Sequence, residues 1–548
     1  MNTNLLIEAI ENTAANAPEM LAFKAGSGDE LQSMAYGQLH AASNAIAARL
    51  ANSMPDRNPV VVFGHKDFRM IAAFVGCLKA GHAFVPVDVE LPASRIHDIM
   101  SQLDNPFVIA ATSPNAASDC FAAPFVGPGR LLDISVFETP DALADAYANL
   151  SVPGRDAWVT GEETQYIIFT SGSTGRPKGI EVSANNVANF ACWVKTFPAI
   201  SDGNQTFLDQ PPYSFDLSEY EVVGALTTGG CLHAVSHDLT RSTKSLFADL
   251  RTSGVSVWVS TPSFADLCLV DPSFNQDLLP DARLFLFCGE ALRHATAAAL
   301  RERFPKAVVV NTYGPTESTV AVTYCQITQA HLDNPDALPV GTPRPGTEIR
   351  ICDPETGDPR EAGQAGEIVI VGDTVAKGYY ANPERTAQAF FQTSLADGTP
   401  VRGYRTGDAG RLDQQGVLHY EGRFDSLIKL HGFRIELEDV ENNIRALDGV
   451  DQACVIAVRH GDSIAYLKAF VVLGADVMQA QATGEAPSKL QVERELKTAL
   501  AQRVPEYMVP RRFIAIDEMP LTTNGKIDRK ALAGEGASGL KNASGKDA

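Results

Sequence analysis

Gln165-Tyr166-Ile167-Ile168-Phe169, followed by Thr170-Ser171-Gly172-Ser173-Thr174-Gly175-Arg176-Pro177-Lys178-Gly179, is the stretch whose reading decides the fold. The apolar run predicts a buried strand. Ser183 is placed to cap a helix whose apolar residues Val187, Phe190, Ala191 and Val194 recur at helical spacing. Between them lies a loop suited to a polyphosphate. Its glycines let backbone N–H groups approach an anion. Ser171, Ser173 and Thr174 add hydroxyl donors, and Lys178 adds a charge. The loop is not a P-loop, because Pro177 occupies the position of the second glycine. On composition alone it serves equally as a turn.

Outward from this loop the first half of the chain alternates strand-like and helical runs, which implies α/β layers. Asn58–Phe63 and Pro106–Ala111 read as strands, and Met70–Ala80 as a helix. Gly366–Gly372 and Gly416–Tyr420 are β-rich and glycine-punctuated, which predicts a smaller β subdomain. After Asp425 a separate unit begins, with a helix over Glu436–Leu447 and strands over Val450–Val458 and Ala465–Leu473. The expected fold class is α/β. A large N-terminal domain of α/β subdomains plus a β subdomain occupies 1–424, a small C-terminal α+β domain 425–533, and a linker-like tail 534–548. Gly461-Asp462-Ser463 reads as a hairpin turn.

A chain of 548 residues exceeds one ordinary core. A net charge of −21 argues against a general nucleic-acid binder, although a local basic loop can still hold a nucleotide. Nine scattered cysteines form no C-x-x-C pair, which suggests neither a zinc site nor a disulfide framework. No signal-peptide pattern and no apolar run of membrane-spanning length is seen, so a cytoplasmic location is expected.

Further segments follow the loop in a fixed order. They are Asn311-Thr312-Tyr313-Gly314-Pro315-Thr316-Glu317, Tyr404-Arg405-Thr406-Gly407-Asp408, Gly422-Arg423-Phe424-Asp425 with Lys429 to Glu436, and Asn524-Gly525-Lys526-Ile527-Asp528. Leu78 to Asp88 precedes them as a mainly structural motif. Together they strongly resemble the signatures of adenylate-forming enzymes, the family of acyl-CoA synthetases, luciferases and peptide-synthetase adenylation domains. The resemblance implies ATP and Mg²⁺, and a reaction that joins a carboxylate to the α-phosphorus of ATP. Two anions must meet in that step, so cations and aligned donors have to offset their repulsion.

The resemblance implies a role for each motif residue. Thr170, Ser171, Gly172, Ser173, Thr174, Gly175 and Lys178 would hold the β- and γ-phosphates. Asn311, Thr312 and Tyr313 would meet the nucleotide, with the Tyr313 face against adenine. Thr316 could donate to the α-phosphate, and Glu317 is a hard oxygen ligand for Mg²⁺. Asp408 would accept from the ribose hydroxyls, with Arg423 assisting. Lys526 would be the mobile catalytic lysine, and Asp425 the hinge about which the small domain turns. Taken singly, Tyr313 reads as a packed aromatic, Asp408 and Asp425 as turn or surface carboxylates, and Lys526 as an exposed turn lysine.

Phe215-Asp216-Leu217-Ser218 bears on the acid activated. In amino-acid-activating relatives this aspartate meets the substrate α-ammonium. A fatty or aryl acid would leave Asp216 desolvated and unpaired. The alternative is an N-cap or turn aspartate before the helix from Leu217. Val257–Ala265, Leu284–Glu290 and Asn311–Val320 resemble the branch of the family that loads D-alanine onto a carrier protein. There Leu217, Cys288, Gly289 and Val320 would border a small substrate, although Cys288 reads equally as a buried structural thiol. Glu219-Tyr220-Glu221 departs from the pattern, and Tyr220 could reshape the pocket. The residues after Lys530 are too few for a carrier domain, so the acceptor is expected to be a separate phosphopantetheinylated protein. The alternatives are adenylation of another small amino acid and an acyl- or aryl-CoA ligase.

Overall fold

The computed structural model describes residues 3–26, 31–113, 120–121, 126–172, 176–424, 427–460, 463–474, 489–516, 518–520, 527 and 529–534. The chain forms two compact units, one of residues 1–89, 99–170 and 178–425, the other of 90–98, 171–177 and 426–548. The second unit thus takes in two short segments that a boundary drawn along the chain assigns to the large domain. Chain order does not register which distant residues a loop groups with.

The first unit is built on three sheets. A nine-stranded sheet runs Thr342–Pro343, Thr323–Gln326, Val308–Asn311, Leu284–Phe287, Val257–Ser260, Thr206–Asp209, Cys231–Ala234, Leu21–Ala25, Gln32–Ala35. Its central strands are parallel. Strands such as Leu284–Phe287 are buried at every position, as expected when both faces are covered. A seven-stranded sheet has Thr164–Thr170, Phe84–Asp88, Val60–Gly64 and Phe107–Ala110 at its centre. The third sheet carries Gly366–Gly372, Pro400–Leu412 and Leu418–Arg423. This is the expected β subdomain.

The opening stretch folds as read up to Thr170, then differs. Lys178–Ser183 is a strand, paired antiparallel with Thr164–Thr170 so that Thr170 faces Lys178. A second strand therefore follows the phosphate-type segment before any helix starts. The alternation of Ile180 and Val182, both buried, is the signal for that strand. Ser183 does cap the helix Ala184–Val194, accepting the N–H of Asn186 in a capping box.

In the second unit Val450–His460 and Ser463–Leu473 pair antiparallel, with His460 opposite Ser463. Gly461 and Asp462 lie outside the described residues, as do residues 475–488 and 535–548. Arg512–Ala515 completes the sheet. The helix Leu437–Arg445 buries Val440 and Ile444, the face read from sequence. No described helix is long and apolar enough to cross a membrane.

Candidate active site

The motif residues of the first unit gather where parallel strands end, the usual ligand position in open α/β sheets. Cys288 follows the strand Leu284–Phe287, and Thr312 follows Val308–Asn311. The segment Asn311–Thr323 is the hub. It folds back on itself, with the N–H of Val322 donating to the carbonyl of Tyr313 at 2.7 Å. A Cβ on Gly314 would lie 2.4 Å from the Cα of Ala321, so only glycine permits this close return.

At its tip Thr319 and Val320 adopt φ of 59° and 66°. Positive φ is costly for β-branched residues. The conformation is held by hydrogen bonds from Thr319 Oγ1 to the Thr374 carbonyl (2.8 Å) and from Thr374 Oγ1 to the Ser318 carbonyl (2.5 Å). Stored backbone strain of this kind is typical of functional loops.

One arm of the hub meets the hairpin. Lys178 Nζ is 3.4 Å from Glu317 Oε1, and Glu317 is fully buried. The Tyr379 hydroxyl donates to the same carboxylate at 2.9 Å, and its ring centroid lies 5.1 Å from Lys178 Nζ. Thr170 Oγ1 is buried with no hydrogen-bond partner among the described residues. Ser171 and Gly172 belong to the second unit, where the Ser171 hydroxyl donates to the Arg434 carbonyl (2.8 Å) and accepts the Glu436 N–H (3.1 Å). Ser173, Thr174, Gly175, Asp425 and Lys526 lie outside the described residues.

The other arm meets the third sheet. Tyr313 donates its hydroxyl to Asp408 Oδ2 at 2.5 Å, and Arg423 donates to Asp408 Oδ1 at 2.5 Å. Asp408 and Arg423 are direct partners in register on adjacent strands. Burial, then the Asp408 charge, pushes the Tyr313 phenol far above its ordinary range, which keeps it a donor. Asn311 Nδ2 donates to the Pro339 carbonyl, while its Oδ1 is buried and lacks a partner among the described residues.

The residues read from sequence as bordering the substrate lie along the same hub. Thr312 Oγ1 donates to the Phe287 carbonyl and accepts the Tyr220 hydroxyl at 3.1 Å. Cys288 Sγ lies 3.9 Å from the Val320 carbonyl. Gly289 continues from Cys288 at φ 93°. Tyr220 is fully buried, its ring centroid 5.0 Å from that of Phe190. Asp216 and Leu217 are buried in a 3₁₀ turn, Asp216–Ser218. Neither that turn nor the helix Glu219–Leu226 has a side-chain cap, so Asp216 is not an N-cap, although it does lie in a turn before that helix.

Four groups here carry no motif and escape sequence reading: Lys66, Asp209, Tyr213 and Tyr379. Lys66 Nζ bonds Asp209 Oδ1 at 2.5 Å with both side chains at 0% exposure, and Tyr213 donates to Asp209 Oδ2 at 2.6 Å. The lone signal is a lysine placed just after an apolar strand. Burial, then the Asp216 charge, pushes the Glu219 carboxyl up to about 8 against the Lys66 charge. Burial likewise raises Glu221 far above the carboxylate range. Glu219 is therefore protonated near pH 7, which adds no negative charge beside Asp216.

The Glu219 shift has a pH consequence. The folded state binds this proton more tightly than the unfolded chain, whose ordinary value is 4.5. Its contribution to stability is complete below about pH 4.5 and is lost as pH rises to about 8. Urea unfolding should show that Glu219→Gln removes on the order of 2 kcal/mol of the stability difference between pH 6 and pH 8. An unchanged pH slope would exclude a protonated Glu219.

The profile of the AMP-binding enzyme family matches residues 10–380, and that of the AMP-binding enzyme C-terminal domain matches 439–526. A D-alanine–D-alanyl carrier protein ligase of Bacillus licheniformis is 42% identical over 97% of this chain and 99% of its own length. The ligase of the same name from Lacticaseibacillus casei is 39% identical over the same shares. The adenylation domain AlmE of Vibrio cholerae, solved with glycyl-adenosine-5′-phosphate, is 22% identical, covers 97% of each chain and superposes with a TM-score of 0.77, which shows the shared fold. With two family profiles spanning its two units and near-full-length relatives at such identity, the chain belongs to the AMP-binding enzyme family.

Proposed function

We propose that the protein adenylates D-alanine with ATP and transfers the aminoacyl group to the phosphopantetheine thiol of a separate carrier protein. The observation that carries the reading is the hub Asn311–Thr323. It touches Lys178 through Glu317, Asp408 through Tyr313, and the Cys288–Tyr220 wall through Val320 and Thr312. One short segment thus links groups suited to a polyphosphate, a ribose and a small substrate.

The donor set fits a nucleotide. Two buried polar atoms, Thr170 Oγ1 and Asn311 Oδ1, have no partner among the described residues. A phosphate oxygen suits the first and an adenine amino group the second. Asp408 has lone pairs left for ribose hydroxyls after accepting from Tyr313 and Arg423. Glu317 is the carboxylate that would hold Mg²⁺, which supplies charge neutralisation at the phosphates. Lys178 adds a fixed cation, and Thr316 supplies a donor toward the α-phosphate. Ser171, Gly172, Ser173, Thr174 and Gly175 complete the phosphate loop.

Asp216 holds the substrate ammonium, so the carboxylate of the amino acid is presented to the α-phosphorus. Leu217, Cys288, Gly289 and Val320 bound the space for its side chain, and Tyr220 closes the base of that space. Lys526 bridges the two reacting anions, and Asp425, the last residue of the first unit, is the hinge for the second half-reaction. ATP and a phosphopantetheine carrier as partners are consistent with a cytoplasmic enzyme.

ATP–pyrophosphate exchange measured with D-alanine, L-alanine, glycine, 2-aminobutyrate and a panel of fatty and aryl acids tests the reading. D-alanine is expected to give the highest kcat/KM. Exchange supported only by acids lacking an amino group overturns it in favour of a CoA ligase, and a preference for another small amino acid overturns the D-alanine assignment alone.

A further inference from the structure

A second cluster of chemically capable side chains stands apart from the residues assigned to the nucleotide and the amino acid. His65 follows the strand Val60–Gly64, and Asp88 ends the neighbouring parallel strand, opposite Gly64 in register. His237 comes from the nine-stranded sheet's side, just beyond the strand Cys231–Ala234. Two sheets of the first unit therefore supply one cluster.

Its geometry is tight. His65 Nδ1 is 2.8 Å from Asp88 Oδ2, and His237 Nε2 is 3.6 Å from Asp88 Oδ1. The imidazole rings stack with centroids 3.8 Å apart and planes at 17°. One potential ligand atom from each residue lies within 4.8 Å of the others, and no second group of this kind occurs among the described residues. The Asp88 side chain is 7% exposed and those of His65 and His237 14% and 26%, so the carboxylate is shielded while an approach from solvent remains. His65 Nε2 is buried and has no hydrogen-bond partner among the described residues.

We propose that His65, Asp88 and His237 bind a divalent cation of the zinc class, and that the bound ion ties the seven-stranded sheet to the nine-stranded one. Two imidazoles and a carboxylate suit zinc, cobalt or nickel, whereas magnesium prefers oxygen donors alone. Zinc–nitrogen bonds of about 2.0–2.1 Å lie in the imidazole plane, so the two rings must turn out of their present stack for one nitrogen of each to reach a shared ion. Three protein ligands leave a position for water, and the net charge of −21 favours cation uptake.

The test uses the full-length protein, stripped with chelator and free of ATP and Mg²⁺, titrated with Co²⁺. One Co²⁺ per chain is expected, with ligand-field absorption, no thiolate-to-cobalt charge-transfer band, and displacement by Zn²⁺. His237→Ala and Asp88→Asn are each expected to weaken binding at least about tenfold. Circular dichroism is recorded alongside, and the more exposed His237→Ala keeps the test decisive if Asp88→Asn fails to fold. No uptake by the wild-type chain at micromolar Co²⁺, or equal uptake by a folded His237→Ala, overturns the proposal.

Discussion

Asp216→Ala is expected to raise the KM for D-alanine about 10- to 100-fold in pyrophosphate exchange, with the KM for ATP nearly unchanged. A hydrogen bond to a charged partner is worth roughly 1.5–3 kcal/mol, and the proposed one would form away from water, since Asp216 is buried in its 3₁₀ turn. The discriminating measurement adds propionate, which matches alanine apart from the ammonium. Wild type should reject it strongly, while Asp216→Ala should narrow the ratio of the two kcat/KM values. Asp216→Asn, which keeps the shape and removes the charge, should fall on the same side. A wild-type KM in either variant would show that this carboxylate does not meet the substrate. The surroundings of Asp216 make the prediction specific to it, because burial and the Asp216 charge hold Glu219 protonated.

Lys526→Ala is expected to lower the rate of adenylation about 10²- to 10³-fold while ATP binding stays measurable by calorimetry. That magnitude is typical when one preorganised donor is removed from a developing charge. The second half-reaction separates mechanism from misfolding. Supplied with preformed aminoacyl adenylate, the variant should still load the carrier thiol at close to the wild-type rate. Equal loss in both half-reactions would mean that Lys526 holds the fold rather than bridging carboxylate and α-phosphate.

Much of this architecture was legible because its signals are local. Gly366–Gly372 reads as a strand and is one, since the four-residue β-branched run Ile368–Val371 between glycines admits little else. Ser183 reads as a cap because a capping box is complete within four residues. The strand Lys178–Ser183 was harder to see. It is short, begins with a lysine, and directly precedes a helix start, so the helical signal overrode the alternation of Ile180 and Val182. The site divides in the same way. Tyr313, Glu317 and Asp408 were found through motifs, but their pairing depends on long-range topology. The Tyr313–Asp408 bond joins a loop after one sheet to a strand of another. Lys66, Asp209 and Tyr379 have meaning only through partners distant in the chain, and no local periodicity marks them. Tyr220 stood out as a departure from pattern, and its bond to Thr312 explains why a large polar aromatic fits there.

The placement of sulfur in this fold has a practical corollary. None of the nine cysteines is in a disulfide, and eight are enclosed by the interior, leaving Cys192 alone at the surface. Burial pushes the thiols of Cys231, Cys268 and Cys454 up to about 12, so few of the nucleophilic thiolates form there near neutral pH. A maleimide dye or spin label can therefore be carried at one defined point of the helix Ala184–Val194 on the unaltered chain, and turnover can be followed spectroscopically without first engineering a cysteine-free background.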